Sequence, residues 1–248
     1  MSNIVLACAQ YTAEPGDIEA NIAKHAHFAR MGWEHGAEVI LFPELSLTGY
    51  ELELARECAI SPYDPVLEPL VELSSETGLT IIAGCPIESD SSKPYLGALI
   101  FQPVQETMVY RKMYIHSSEE DYFISGKEPM VFDCTGEFVG VAICYDISHE
   151  FHAAAVKRLG CTVYMAGVME TPEGIEEARI RMSMHASEGS MVTALANYGN
   201  STGGLEGGGK SAVWDEEGDI VASAEPNGDA LVLVNKFGDQ CDGMVLEV

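Results

Sequence analysis

The segment FVGVAICYD, residues 138–146, decides how this chain folds. An apolar run that is rich in β-branched residues and lacks polar alternation predicts a strand buried on both faces. Residues 150–159 predict a helix, which Asp146 or Ser148 can cap and which Gly160 ends. Cys144 therefore stands at a strand-to-helix corner, where backbone N–H groups converge. A nucleophile is useful there, although a lone cysteine is more often a buried structural thiol.

Strand-like and helix-like segments alternate along most of the chain, which is typical of an α/β fold with helices outside and sheet inside. Closely spaced strands at 79–111 and 211–234 predict antiparallel or mixed pairing there. We predict one domain over residues 1–238 and an extended C-terminal tail at 239–248. The strands are expected at 4–9, 38–42, 79–85, 96–101, 106–111, 138–143, 162–166, 191–197, 211–214, 219–222 and 230–234, and the helices at 17–35, 65–77, 150–159 and 173–187.

The composition disfavours two classes of partner, nucleic acids and anionic membranes. The formal net charge is −26, so the chain lacks the basic face with which proteins neutralise nucleic-acid phosphates or bind anionic membranes. Its seven cysteines form no Cys-x-x-Cys pair, which favours reduced thiols in a cytoplasm. The N-terminus lacks a basic stretch followed by a long apolar core, so we expect no secretory signal. We expect a cytoplasmic protein without nucleic-acid or membrane partners.

Four reactive side chains stand out, and three of them follow predicted strands. Glu44 follows strand 38–42, Lys112 follows strand 106–111, and Cys144 follows strand 138–143. Glu120 lies eight residues after Lys112, with Glu119 as the neighbouring alternative. Because strand ends in an α/β sheet face a common crevice, these side chains are expected to converge.

The four groups fit one chemistry. A thiol with an ordinary pKa of about 8.5 is mostly protonated at neutral pH and needs a base, which Glu44 can provide. Lys112 and the backbone N–H of Tyr145 can stabilise the oxyanion that forms when a carbonyl is attacked. Glu120 would orient Lys112 or Glu44. Water activated by the same glutamate would then cleave the thioester.

Three motifs make the chain resemble the nitrilase superfamily of carbon–nitrogen hydrolases. They are FPELSLTGY at 42–50, YRKMYI at 110–115 and GVAICYD at 140–146, and the resemblance covers nearly the whole chain. It implies a four-layer α-β-β-α sandwich that forms homodimers or larger homo-oligomers. It also implies that Glu44, Lys112 and Cys144 act as base, oxyanion stabiliser and nucleophile. The family's supporting second glutamate maps to Glu120.

The chain leaves the family pattern just after the nucleophile. Many members have a segment like Leu-Arg-Phe-Pro-Glu after Cys-Tyr-Asp, whereas this chain has Ile, Ser, His and Glu at 147–150. Because this loop lies beside the nucleophile, the departure bears on substrate choice. We expect Tyr50, Tyr145, His149 and Asn197 to line the substrate pocket.

These observations predict a cysteine-dependent hydrolase that cleaves a non-peptide C–N bond in a small amide or carbamoyl compound through a thioester. No metal or organic cofactor is expected. Alternatives are a nitrilase acting on a small nitrile, a non-catalytic scaffold with the same fold, or a nucleotide binder. The last rests on residues 204–211, which match G-x-x-x-x-G-K-S but lack a following helix. A Cys144–His149 dyad and a His149–His152 metal site are weaker alternatives.

Overall fold

The computed structural model describes residues 3–248. This range contains thirteen strands and four α-helices. The strands are β1 (Asn3–Gln10), β2 (Val39–Leu41), β3 (Thr80–Ile87), β4 (Tyr95–Phe101), β5 (Met108–Arg111), β6 (Met130–Cys134), β7 (Glu137–Ile143), β8 (Val163–Gly167), β9 (Val192–Ala196), β10 (Ala212–Trp214), β11 (Ile220–Ser223), β12 (Ala230–Phe237) and β13 (Gln240–Glu247). The helices are α1 (Ile18–Glu34), α2 (Glu68–Thr77), α3 (Glu150–Arg158) and α4 (Ile175–Gly189).

The strands form two sheets. The first has seven strands in the order β13-β12-β1-β2-β3-β4-β5, and the second has six in the order β11-β10-β9-β8-β7-β6. Parallel pairing joins β1, β2 and β3 in the first sheet and β7, β8 and β9 in the second. The remaining pairs are antiparallel, including β3–β4, β4–β5 and β10–β11, as the sequence predicted.

Strand β7 shows how the layers are built. Val139, Val141 and Ile143 belong to the large core between the sheets, whereas Ala142 belongs to a second core beneath α3 and α4. Alternate residues of a strand point to opposite faces, so an all-apolar strand can serve both cores. Helices α1 and α2 pack against each other on the other side of the molecule. The predicted four-layer α-β-β-α sandwich is confirmed.

Local signals set the helix ends. The Asp17 side chain accepts a hydrogen bond from the backbone of Ala20 at 3.0 Å and so caps α1. Gly78, in the left-handed conformation with φ +79°, ends α2.

The sequence missed two strands. Strand β6 follows Pro129, and the exposed Asp133 interrupts its apolar run. Residues 239–248 were expected to form a tail outside the domain, but β13 pairs with β12 along its whole length, from Phe237 opposite Gln240 to Ala230 opposite Glu247. Its side chains are mostly exposed, so backbone hydrogen bonds hold it rather than an apolar pattern. No helix within residues 3–248 has the length and apolar character to cross a bilayer.

Candidate active site

Glu44 lies between the two sheets, just beyond the end of β2. Glycines on both sides make room for its segment: a Cβ on Gly84 of β3 would lie 2.4 Å from the Leu45 nitrogen. A Cβ on Gly167 of β8 would lie 2.5 Å from the Phe42 carbonyl oxygen. The hydroxyl of Tyr198 donates to the Glu44 carbonyl at 2.7 Å. The carboxylate is thereby fixed in the interior, where it is 1% exposed.

Lys112 connects two carboxylates in this interior. It follows β5, and its side chain is fully buried. Its Nζ donates to Glu44 Oε1 at 2.7 Å and to both oxygens of Glu119, at 2.8 and 2.7 Å. Because a buried ammonium loses its hydration, it requires partners of this kind. The three charged groups therefore form one unit.

The second carboxylate belongs to Glu119, and this corrects the expected Glu120 by one residue. The Glu119 N–H donates to the His116 carbonyl at 2.9 Å in a tight turn, which directs the Glu119 side chain inward. Its carboxylate also accepts from the Tyr50 hydroxyl at 2.8 Å and from the His116 N–H at 2.9 Å. Glu120 is exposed, and its carbonyl accepts a hydrogen bond from Lys93 Nζ at 2.6 Å.

Cys144 begins a turn of 3₁₀-helix, Cys144–Ser148, directly after β7. Its φ is +42°, which is uncommon for a residue with a side chain and costs conformational energy. Such turns recur at functional sites, where they expose a side chain at the top of a sheet. The thiol is half-buried and faces a cavity.

Asp146 holds this turn against the Lys112 segment. Its carboxylate accepts from the Ile143 N–H at 3.0 Å, from the Met113 and Tyr114 N–H groups at 3.1 and 2.9 Å, and from the Tyr110 hydroxyl at 2.6 Å. One fully buried side chain thus ties the segment of the thiol to the segment of the lysine. The sequence indicated Asp146 only as a helix cap.

The buried charges shift one another's pKa values. Burial raises the pKa of Glu44 to about 8, although Lys112 opposes this and Glu119 adds to it. Burial alone would lower the pKa of Lys112, but the neighbouring acidic groups outweigh it and raise that pKa. Burial and the nearby Glu44 raise the pKa of the Cys144 thiol well above its usual value. The thiol is therefore protonated at rest and needs a base within the reaction.

A cavity of about 430 Å³ opens onto the thiol. Tyr50 and Tyr145, two of the four residues expected in the substrate pocket, line this cavity together with Glu119. Its wall also contains Glu170 and Arg181, which the sequence did not single out. Glu170 lies just beyond the end of β8, so the strand-end rule that identified Glu44 would also have found it.

The other two expected pocket residues are placed differently. The ring of His149 stacks on Tyr114, with centroids 3.8 Å apart, and is not part of the cavity wall. Asn197 lies behind the wall: its Oδ1 accepts from the Glu170 N–H at 2.9 Å and its Nδ2 donates to the Glu170 carbonyl at 3.0 Å. Ile147 and Ser148, from the segment that departs from the family pattern, do line the cavity.

The competing motifs have structural roles. The glycine-rich segment 204–211 is followed by strand β10 rather than by a helix. Lys210 forms an ion pair with Glu176. Both ring nitrogens of His152 are engaged, with the hydroxyls of Tyr110 and Tyr164 at 2.8 and 2.9 Å. This geometry favours neither a phosphate loop nor a His149–His152 metal site.

Known proteins resemble the chain in sequence. The family model for carbon–nitrogen hydrolases matches residues 5–235. A glutamine-dependent NAD(+) synthetase of Thermotoga maritima is 27% identical over 231 residues, which cover 89% of this chain but 40% of that protein. A nitrilase of Pyrococcus abyssi is 27% identical over 213 residues, 83% of this chain and 79% of the relative. The chain thus spans less than half the length of the NAD(+) synthetase.

Solved structures share the fold. A cysteine-to-alanine variant of the amidase from Nesterenkonia sp. AN1, in complex with butyramide, superposes with a TM-score of 0.87 at 22% identity. The match covers 96% of this chain and 92% of that one. A glutamate variant of the same amidase carries the acetamide moiety of fluoroacetamide on its active-site cysteine. It superposes with a TM-score of 0.86 at 22% identity, and the match covers 95% of this chain and 91% of that one.

Proposed function

Because the chain belongs to the carbon–nitrogen hydrolase family, we propose that it hydrolyses a small amide or carbamoyl compound through a thioester on Cys144. The observation that carries this proposal is the buried unit of Glu44, Lys112 and Glu119, located where the reactive thiol meets the cavity. A structural role alone would not require a buried ammonium between two carboxylates beside an open cavity, since burying charges is costly.

The first half-reaction forms the thioester. Glu44 accepts the proton of the Cys144 thiol as sulfur attacks the substrate carbonyl carbon, and the carbonyl electron pair moves to oxygen. The Lys112 ammonium and the backbone N–H after Cys144 stabilise this oxyanion. As the carbonyl re-forms, the C–N bond breaks, and Glu44 returns the proton to the leaving nitrogen. Ammonia or an amine departs and the acyl group stays on sulfur.

The second half-reaction restores the thiol. Glu44 takes a proton from water, the hydroxide oxygen attacks the thioester carbonyl, and the C–S bond breaks. The proton passes to sulfur and the carboxylic acid leaves. Glu119 holds Lys112 in place throughout. Its bonds from Tyr50 and from the His116 backbone keep it oriented toward Nζ.

The test is a screen for released ammonia or amine with small amides such as butyramide, carbamoyl amino acids and nitriles. Cys144→Ala should abolish turnover of whichever substrate is active and leave the fold intact. The matched control is Cys241→Ala, which removes another half-buried thiol, on the edge strand β13, and should keep full activity. Full activity in Cys144→Ala would refute the proposal.

We also propose a reducing compartment, such as the cytoplasm, and a homo-oligomeric assembly. All seven cysteines are free, which supports the first. Phe151 of helix α3 and Leu159, the residue that follows this helix, are 79% and 54% exposed, and these apolar side chains support the homo-oligomeric assembly. Analytical ultracentrifugation tests the assembly, and a monomer at micromolar concentration would contradict it.

A further inference from the structure

Glu170 is a carboxylate in the candidate active site that the proposed mechanism does not use. Its Oε1 lies 3.8 Å from Cys144 Sγ, and the side chain lines the same cavity. Gly174 leaves space for it, since a Cβ there would lie 2.3 Å from Glu170 Oε2. The carboxylate is therefore positioned next to the reacting sulfur.

The backbone of Glu170 is fixed. Asn197 binds both its N–H and its carbonyl, and the Gly208 N–H donates to the same carbonyl at 2.8 Å. These three hydrogen bonds limit the movement of the Glu170 backbone. A carboxylate held in this way is preorganised to bind a ligand.

Within residues 3–248, Glu170 has no cationic side chain within 4.0 Å. The nearby cations are already engaged: Lys112 with Glu44 and Glu119, and Arg181 with Glu177. Burial raises the pKa of Glu170, and the charge of Glu177 adds to this, whereas Cys144, Lys112 and the more distant Arg181 oppose it. A cation brought by a ligand would stabilise the ionised carboxylate.

We propose that Glu170 binds a cationic nitrogen of the substrate, so that the enzyme selects small amides with an ammonium group near the scissile bond. This inference rests on the proposed function and names its substrate class. The overall charge of −26 favours the approach of cations at long range.

The geometry limits the length of the substrate. An ammonium nitrogen about 3 Å from Glu170 Oε1 lies at most about 7 Å from Cys144 Sγ, because Oε1 is itself 3.8 Å from the sulfur. The thioester carbon is bonded to that sulfur, so the ammonium must lie within a few bonds of the carbonyl. 3-Aminopropanamide meets this condition, and butyramide is its neutral isostere, with a methyl group in place of the ammonium.

The first test compares kcat/KM for these two amides. The wild type should prefer 3-aminopropanamide, and Glu170→Gln should reduce that preference by about tenfold, the size expected for one charge-assisted hydrogen bond. Glu173→Gln is the matched control, because it removes the same charge from an exposed position three residues along the chain. It should leave the ratio unchanged. An equal loss for both amides in Glu170→Gln would make Glu170 a general reaction group and would overturn the proposal.

The second test does not require turnover. Cys144 is alkylthiolated with 2-aminoethyl methanethiosulfonate or with its neutral isostere, propyl methanethiosulfonate, and the label on Cys144 is quantified by peptide mass. Both reagents depend equally on the reactivity of the Cys144 thiol. The ratio of their labelling rates therefore measures how strongly the site prefers the cationic reagent over the neutral one. Glu170→Gln should lower the aminoethyl-to-propyl ratio by about tenfold relative to wild type and to Glu173→Gln.

The two tests separate the two proposals. If no amide is hydrolysed but the thiosulfonate ratio falls in Glu170→Gln, the proposed function fails and the cation subsite stands. If amides are hydrolysed but neither ratio responds to Glu170→Gln, the hydrolase stands and the subsite is refuted.

Discussion

Replacing Glu119 with glutamine removes one negative charge from the buried unit at nearly constant volume. The Glu119 carboxylate accepts four hydrogen bonds: two from Lys112 Nζ, one from the Tyr50 hydroxyl and one from the His116 backbone. A glutamine has one acceptor oxygen, so its NH₂ group must face another donor. Lys112 then loses half of its charge compensation and its fixed position.

The size of the effect follows from the burial. Breaking a fully buried ion pair by removing one partner costs about 3 kcal/mol or more. A displaced Lys112 ammonium stabilises the oxyanion of the transition state less well. If the activation free energy rises by this amount, kcat/KM decreases by about a hundredfold. Glu120→Gln is the matched control, since its side chain is exposed and makes no contact with Lys112. Its kcat/KM should stay within about twofold of wild type, as for most surface substitutions.

The assay is steady-state hydrolysis of the best amide found in the screen, measured across pH, with circular dichroism as a check on folding. Burial is the main cause of the raised pKa of Glu44, and the charge of Glu119 adds to it. Glu119→Gln should therefore shift the acid limb of the pH–rate profile to lower pH, which a merely structural defect would not do. A hundredfold loss in Glu120→Gln, or full activity in Glu119→Gln, would refute the reasoning.

Four further predictions concern pH and stability. Burial raises the pKa of Glu44 to about 8, so kcat/KM should rise with pH through that value as the carboxylate becomes able to accept the thiol proton. A flat profile between about pH 6 and pH 9 would contradict this. The folded chain also binds the Glu44 proton more tightly than the unfolded chain, so the free energy of unfolding should fall as the pH rises from 4.5 to about 8. Chemical denaturation measures this decrease, and Glu44→Gln should abolish it. Asp146→Asn leaves one acceptor oxygen for four donors, so the free energy of unfolding should decrease by about 2 kcal/mol. Calorimetry should show a Tm lower by about 5 °C, and an unchanged Tm would refute the linking role of Asp146. Deleting residues 239–248 exposes the edge of β12 and should lower Tm and promote aggregation in light scattering, whereas a dispensable tail would change neither.

The main elements were predictable because burial on both faces leaves a strong signal. The apolar run of β7 and the charged residues after β2 and β5 indicated both the fold and the position of the site. Strand β13 could not be predicted in this way, because backbone hydrogen bonds to β12 hold it and its side chains are mostly exposed. An edge strand of this kind has no apolar alternation.

The details of the site depended on turns rather than periodicity. Within the acidic run 119–121, spacing alone could not distinguish Glu119 from Glu120, and the turn after His116 decides which carboxylate points inward. Asn197 shows the same limit, because it lies at a strand end but serves the backbone of Glu170. Strand-end logic locates the segments that meet at the site, whereas side-chain direction requires the three-dimensional structure.

The most direct test of the central claim is to trap the acyl group on the nucleophile. The protein is mixed with an active amide, quenched in acid within milliseconds, and analysed by intact mass and by peptide mapping. A thioester on Cys144 predicts a mass increase equal to the acyl group, located on the peptide that contains Cys144 and absent from Cys144→Ala. An acyl group on Cys241 or another cysteine, or hydrolysis that persists in Cys144→Ala, would contradict it.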